Sequence, residues 1–312
     1  MRVASIDIGT NTLLLLIAES TTGHPDDLVP LVELARIARL GEGVDRTRVF
    51  LKEAISRTLH ALAEAAALIR TYEVTNVAVV GTSAMRDATG ADPILAFVRN
   101  EMGTEVRVLS GEEEANVTFD GALAGLPVRG SVAVFDIGGG STEIVYGEVT
   151  NTGASILHAN SYDIGSVRLT ERCVSHDPPL EDELKRIESA IRVALQDAPH
   201  HRVDTVIGIA GTITTLAAIS LAMGIYDATR IHGHVVSTDT LRHVTHKLAR
   251  MTLATRTAVE GLEPKRADVI VAGGLIAHGV MQHVQADGLV VSDRGVRWGI
   301  ARAICRASLV NG

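Results

Sequence analysis

The sequence predicts an α/β protein built from two copies of one domain. Three observations lead there. The segment Ala4-Ser5-Ile6-Asp7-Ile8-Gly9-Thr10-Asn11-Thr12 has a counterpart in Val134-Phe135-Asp136-Ile137-Gly138-Gly139-Gly140-Ser141-Thr142. Later landmarks keep the same spacing: Asp7 and Asp136 are 129 apart (136 − 7), as are Arg39 and Arg168, Leu51 and Leu180, and Val77 and Val206, while Gly81-Thr82 and Gly211-Thr212 are 130 apart. In both halves, short apolar runs alternate with helix-period patterns, the signature of helices packed on sheets.

Each half opens with a continuous apolar run, Val3–Ile8 and Val132–Ile137, suited to a central strand buried on both faces. A polar, glycine-bearing turn follows, then a second strand, Leu13–Ala18 and Glu143–Val149. Next comes an amphipathic helix. Leu51, Ile55, Leu59, Leu62, Ala66 and Ile69 share one face in the first half, and Leu180, Leu184, Ile187, Ile191 and Leu195 do so in the second. A buried strand then runs into a Gly-Thr turn, Val77–Val80 to Gly81-Thr82 and Val206–Ile209 to Gly211-Thr212. The stretch Gly121 to Gly130 is glycine-rich with one proline and reads as a linker, so the domains are set at residues 1–124 and 125–312. Two such halves facing one another across a cleft form the actin-like (ASKHA, ribonuclease H-like) architecture, whose paired strand–turn–strand loops grip phosphates from opposite sides.

The bulk numbers agree. A chain of 312 residues, 46% hydrophobic but only 3% aromatic, has an aliphatic core and room for two domains. Cys173 and Cys305 make neither a disulfide framework nor a zinc site. The start of the chain has no signal-peptide layout, and its longest apolar run is too short for a bilayer. The expected location is the cytoplasm, with no membrane partner. A net charge of −8 argues against non-specific nucleic-acid binding, yet leaves room for a polyanionic substrate in a local basic site.

The sharpest chemical signal is Asp136 to Glu143. Gly138, Gly139 and Gly140 let the backbone approach a ligand, successive N–H groups can form a nest for phosphate oxygens, and Ser141 and Thr142 add hydroxyls. A plain turn needs neither three glycines nor flanking carboxylates. Gly9, Thr10, Asn11 and Thr12 alone would read as a hairpin turn, but their pairing with the second loop makes them phosphate-binding candidates. Asp7 and Asp136 would face each other there, and carboxylates near phosphates suggest Mg²⁺. In Gly81-Thr82-Ser83-Ala84-Met85-Arg86, Arg86 aligns with Leu216, so packing does not demand an arginine and a bidentate phosphate contact is the better reading. Of Glu112, Glu113 and Glu114, the first two are explained as complements to a helix dipole; Glu114 is undecided on these grounds. His232-Gly233-His234 and His243 with His246 lack a third metal ligand. No Ser-His-Asp order stands out, and no Gly-x-x-x-x-Gly-Lys-Ser/Thr loop is present.

At these residues the chain resembles the exopolyphosphatase/guanosine pentaphosphate phosphatase (Ppx/GppA) family over nearly its whole length. The resemblance rests on Ile6 to Asn11, Gly81-Thr82 leading to Arg86, Ser110-Gly111-Glu112-Glu113-Glu114-Ala115 and Asp136 to Glu143. It extends through Gly208 to Thr212, Arg266-Ala267-Asp268 and Ser292 to Gly299. It implies a catalytic base at Glu114, a phosphate-contacting arginine at Arg86, an acidic pair at Asp136 and Glu143 with Asp7 as a further metal candidate, Gly211 and Thr212 among the phosphate-binding residues, and Mg²⁺ as cofactor. It also implies that the last segment, about 297–312, packs back on the first domain, and it is compatible with a homodimer. One departure stands out: the family's tail commonly reads Arg-Glu-Gly, and here it reads Arg297-Trp298-Gly299. The length matches short, two-domain members.

The expected activity is hydrolytic release of terminal phosphate from inorganic polyphosphate. Guanosine pentaphosphate is the alternative substrate. Rivals of other classes are an actin-like kinase using Val271-Ala272-Gly273-Gly274 against adenosine, and a silent nucleotide- or polyphosphate-binding regulator. Arg168, Lys265, Arg266, Arg294 and Arg297 are expected to line the path of the polyanion.

Overall fold

The apolar runs that open the two halves become the middle strands of two sheets. In the computed structural model, which describes residues 1–151 and 153–311, the chain divides into residues 1–125 with the segment from Gly295 onward, and residues 126–294. The first unit runs β1 (Arg2–Ile8), β2 (Thr12–Glu19), β3 (Val29–Ile37), the one-turn α1 (Val44–Thr47), α2 (Lys52–Thr71), β4 (Asn76–Gly81), α3 (Ser83–Asp87), α4 (Asp92–Met102), β5 (Val106–Val108) and α5 (Gly111–Leu123). The second runs β6 (Gly130–Ile137), β7 (Thr142–Thr150), β8 (Gly153–Tyr162), α6 (Ser166–Cys173), α7 (Glu181–Leu195), β9 (Thr205–Ile209), α8 (Ala210–Ser220), α9 (Ala228–Ile231), β10 (Val235–Ser237), α10 (Thr238–Ala249), α11 (Leu253–Arg256), α12 (Ile270–His283) and β11 (Gly288–Val291). The chain then returns to the first unit as α13 (Val296–Asn311).

The sheets are copies. Their orders are β3-β2-β1-β4-β5 and β8-β7-β6-β9-β11, the second carrying β10 as an extra antiparallel edge. Asp7 pairs with Leu14 on β2 and Val80 on β4; Asp136 pairs with Glu143 on β7 and Ile209 on β9. Each partner moves by 129 (143 − 14, 209 − 80), and the irregularity at Ile17/Ala18 recurs at Tyr146/Gly147, again 129 on. This is the duplicated, actin-like α/β fold. The same register corrects one alignment. Ile8 pairs with Gly81, so the offset carries Gly81 onto Ala210 rather than Gly211, and Arg86 corresponds to the buried Thr215 rather than Leu216.

Strand alternation sends successive side chains to opposite faces. In the first unit, Ala4, Ile6 and Ile8 pack with Leu62, Ala65 and Ile69 of α2 and with Ile94 and Val98 of α4. The other face takes α13: Val3, Leu16 and Ala18 meet Trp298, Ala301 and Cys305, and Val80 and Leu109 meet Val296 and Ile300. Leu51 and Leu180 are not core residues as the periodicity suggests; both are helix N-caps, 37% and 50% exposed. Gly121 is not linker either. It lies within α5, where a Cβ would overlap the Gly295 carbonyl, and a Cβ on Gly299 would overlap that of Val117. Glycines on both helices thus let α5 and α13 approach backbone to backbone.

Trp298, where the family usually has glutamate, is a core side chain of this helix pair. It is 2% exposed, and its Nε1 donates to Glu33 on β3 at 3.1 Å. Arg297 donates to the other oxygen of Glu33 at 3.1 Å. It is therefore committed to a contact within the first unit, and is corrected from a path-lining residue to a structural one. No described helix is long and apolar enough to cross a membrane.

Candidate active site

In the first unit, the loop after β1 closes on itself through Gly9 N donating to Thr12 O at 3.1 Å. Behind it, Gly41 N donates to Thr10 O at 2.8 Å and Arg39 N to Asn11 O at 2.9 Å. Asp7, Thr10 and Asn11 are all buried, and the Asn11 side-chain nitrogen has no hydrogen-bond partner among the described residues. A buried donor left this way is costly, which marks Asn11 as a side chain that awaits an acceptor.

The three glutamates separate cleanly. The helix begins at Gly111, so all three lie in its first turns. Glu113 is spent on a capping box: its carboxylate accepts from Ser110 N at 2.8 Å, while Glu113 N donates to Ser110 Oγ at 3.1 Å. The backbone N–H of Ser110 lowers its pKa. Glu112 points to solvent. Glu114, about 100° further round the helix, is 6% exposed. Its Oε2 accepts from Arg86 Nη1 at 2.5 Å, and the same nitrogen donates to Leu109 O at 2.8 Å. Arg86 and Glu114 are thus brought together, an arrangement the sequence did not disclose.

In the second unit, the glycine loop repeats the turn of the first: Gly138 N donates to Ser141 O at 3.0 Å. Asp136 and Glu143 stand opposite one another on β6 and β7, which puts both carboxylates on one face beside the loop. Glu143 is 1% exposed and accepts from Ser161 Oγ at 2.6 Å. Mg²⁺ is commonly held by one or two carboxylates with water and substrate oxygens filling the rest, and this acidic pair fits that mode. A protein-only cage does not: the described residues contain no cluster of three His, Cys, Asp or Glu able to hold a metal. Thr142 is corrected here. It is fully buried and its one hydroxyl proton goes to Ile164 O at 2.5 Å, so it cannot donate to phosphate.

Gly211 and Thr212 open α8 at the end of β9, beside β6. A Cβ on Gly211 would overlap the Arg266 guanidinium, so Arg266 lies flat over this turn. Burial pushes its pKa down, opposed by Glu263 and Tyr226. Arg266 therefore belongs beside the Gly211-Thr212 turn; no spacing in the sequence ties it there. Arg168 is corrected in the opposite sense. It is 5% exposed, and its Nε donates to Gly140 O at 2.6 Å, so it lies behind the glycine loop and not along a path.

His232 pairs with Asp293 at 3.0 Å, and His243 and His246 are exposed on α10. Val271, Ala272, Gly273 and Gly274 are all buried within α12, where a Cβ on Gly273 would overlap Thr212 and one on Gly274 would overlap Thr245. Those glycines serve helix packing, and the adenosine contact expected of a kinase loses its motif.

Comparison with known proteins follows the same lines. The Ppx/GppA phosphatase family model matches residues 16–305. Exopolyphosphatase 2 of Mycobacterium tuberculosis is 38% identical, over 97% of this chain and 98% of its own length. A guanosine-5'-triphosphate,3'-diphosphate pyrophosphatase of Vibrio atlanticus is 27% identical over 96% of this chain but 58% of its own. The crystal structure of an exopolyphosphatase-like protein superposes with a TM-score of 0.92 at 31% identity, covering 99% of this chain and 100% of that one. The Aquifex aeolicus Ppx/GppA family member gives 0.82 at 34% identity, with 100% and 99% covered.

Proposed function

The chain belongs to the Ppx/GppA phosphatase family, and from that premise we propose that it is an exopolyphosphatase, hydrolysing the terminal phosphoanhydride bond of inorganic polyphosphate. The observation that carries the mechanism is the state of Glu114: of three adjacent glutamates it alone is buried, and it is paired with Arg86. A general base must be fixed within reach of its water, and a helix turn fixed by a capping box and a half-buried ion pair meets that need.

In this reading Glu114 takes the proton of the attacking water. The Arg86 guanidinium, already beside the base, shares its charge with the incoming phosphate, which aligns water and phosphorus together. The N–H groups of the glycine loop hold the oxygens of the transferred phosphate as negative charge builds on them. Asn11 is a further candidate side-chain donor, and Arg266 offers a guanidinium over Gly211. Asp136 and Glu143 would hold Mg²⁺, with Glu143 oriented by Ser161; a bound divalent ion offsets charge on the phosphate oxygens. Asp7 stays a further metal candidate.

Polyphosphate is preferred to guanosine pentaphosphate because this chain spans nearly all of the mycobacterial exopolyphosphatase but only 58% of the guanosine enzyme. The test is phosphate release from polyphosphate, guanosine pentaphosphate and ATP, side by side, with Mg²⁺ and with excess chelator. Polyphosphate should be turned over fastest and only with metal. A guanosine pentaphosphate rate above it overturns the substrate assignment. Binding without release from any of the three overturns the enzyme, and full activity in chelator overturns the metal.

A further inference from the structure

We infer that Arg168 is a positioning residue that sets, from behind, the aim of the phosphate-facing N–H groups of the glycine loop. This rests on the phosphate-binding reading of Gly138 to Ser141. It adds a residue that touches neither substrate nor metal.

In a planar trans peptide, the carbonyl of one residue and the N–H of the next point in opposite directions. The destinations of a loop's carbonyls therefore reveal where its N–H groups aim. Gly138 O accepts from Ser166 N at 3.0 Å and from Ser166 Oγ at 3.2 Å. Gly139 O accepts from Val167 N at 2.9 Å and Arg168 N at 3.0 Å. Gly140 O accepts from Arg168 Nε at 2.6 Å. All three carbonyls end on the first turn of α6. The N–H groups of Gly139, Gly140 and Ser141 consequently point away from α6, three in a row, which is the geometry of an anion nest. The loop lies hard against the helix: a Cβ on Gly165 would overlap the Gly139 carbonyl.

The third carbonyl is the informative one. Backbone N–H groups of α6 reach Gly138 and Gly139, but the next, Leu169 N, is already bonded to Gly165 O at 2.9 Å. Gly140 O is met by a side chain, so the direction of the Ser141 N–H depends on Arg168. That side chain is 5% exposed, with Nη2 3.7 Å from Asp163 Oδ1. An arginine Nε donates in the guanidinium plane in a fixed direction, which an ammonium on a flexible stem does not reproduce. The matching loop of the first unit needs no such side chain. Asn11 O, the counterpart of Gly140 O, is met by the backbone N of Arg39, the residue 129 before Arg168 (168 − 39).

The test uses the full chain with ¹⁵N at glycine and serine. Inorganic tripolyphosphate is added without divalent metal while the amides of Gly139, Gly140 and Ser141 are followed, and turnover of polyphosphate is measured separately with saturating Mg²⁺. In the parent these amides should shift; if they do not, the phosphate-binding reading itself fails, whatever Arg168 does. Arg168→Lys keeps the charge and loses the planar fork. It should weaken the Ser141 response and lower kcat on the order of 10²-fold, the scale of one misplaced transition-state donor. KM should stay within about 3-fold, and the variant should remain folded at the assay temperature. If the parent amides respond and the variant keeps its kcat, the inference is overturned. A raised KM with kcat intact also overturns it, by making Arg168 a substrate contact. Should that variant fail to fold, Arg168→Gln keeps a planar N–H donor but shortens its reach to Gly140 O. It should shrink the Ser141 response and lower kcat about 10-fold, and no change in either overturns the inference.

Discussion

The two hairpin loops, Gly9 to Thr12 and Gly138 to Ser141, share a closing hydrogen bond, a strand register and an aspartate at the same place, yet they are equipped differently. The second has three glycines and a glutamate, Glu143, opposite its aspartate. The first has Thr10, Asn11 and Thr12 in the turn and Leu14 opposite Asp7. One loop offers backbone donors beside an acidic pair; the other offers side-chain donors beside an apolar strand. Both copies keep the same strand–turn–strand scaffold. Metal chemistry fits one of them, and the glutamate–arginine pair formed on the other. The asymmetry predicts that damage to each unit has its own signature.

The largest effect should come from the first unit. Glu114→Gln keeps shape and removes the proton acceptor, so kcat should fall on the order of 10²–10⁴-fold with substrate binding and the Mg²⁺ requirement unchanged. Single-turnover hydrolysis of Glu112→Gln, Glu113→Gln and Glu114→Gln checks it. Loss confined to Glu113→Gln would move the base by one residue. The second unit should fail in metal affinity instead. Ser161→Ala leaves Glu143 in place without its orienting hydroxyl and should weaken Mg²⁺ about 10–100-fold, with kcat recovered at saturating metal. A Mg²⁺ titration of activity reads this, and an unmoved midpoint would detach the acidic pair from the metal. Glu143→Gln should not be rescued so readily, since it removes the ligand itself.

A gentler probe uses acid. Glu183 accepts from Ser175 N, Ser175 Oγ and Leu180 N at 2.8–2.9 Å and lies 2.9 Å from His176 Nδ1, so it ties the α6–α7 connection to the start of α7. The His176 contact and then the Leu180 N–H hold its pKa far below the usual carboxylate range. A depressed pKa stabilises the fold above the unfolded value, 4.5 for glutamate, and that contribution is lost as pH falls through the folded value. Melting curves below about pH 4.5 should fall more steeply for the parent than for Glu183→Gln. Equal slopes would show that Glu183 does not anchor the α6–α7 connection. The smallest effect concerns Ala210, which holds φ at +67° before the Gly211 turn. Ala210→Gly should relieve strain of about 1 kcal/mol without touching activity; a denaturation midpoint that falls instead would show that the strain is not there.

Much of this was legible in the sequence because duplication prints the same physics twice. The offset of 129 between Asp7 and Asp136 gave the strand pairing, and three glycines between two carboxylates marked the loop. What escaped was direction. Nothing in a string of residues says whether Arg168 stands in front of a phosphate loop or behind it, or that the Thr142 hydroxyl turns inward to Ile164. The misplaced match of Gly81 to Gly211 has a similar cause. Glycine was taken as the marker of the turn, whereas the structure places an alanine in a left-handed conformation at the equivalent position and reserves Gly211 for the guanidinium above it. Trp298, in sequence a departure from the Arg-Glu-Gly tail of the resembling family, is a core residue packed with Val3, Leu16 and Ala18.

That last helix also sets a timetable. The face of the first sheet carrying Val3, Leu16, Ala18 and Val80 is covered by α13, and residues 126–294 lie between in the chain. At typical rates of synthesis, that intervening stretch takes on the order of ten seconds to make. Throughout that interval the nascent first unit has an open apolar face, and α5, with Glu114 on it, lacks the helix it packs against. Until α13 is made and docks, the nascent first unit is expected to present that apolar face to its surroundings, the kind of surface that chaperones shield.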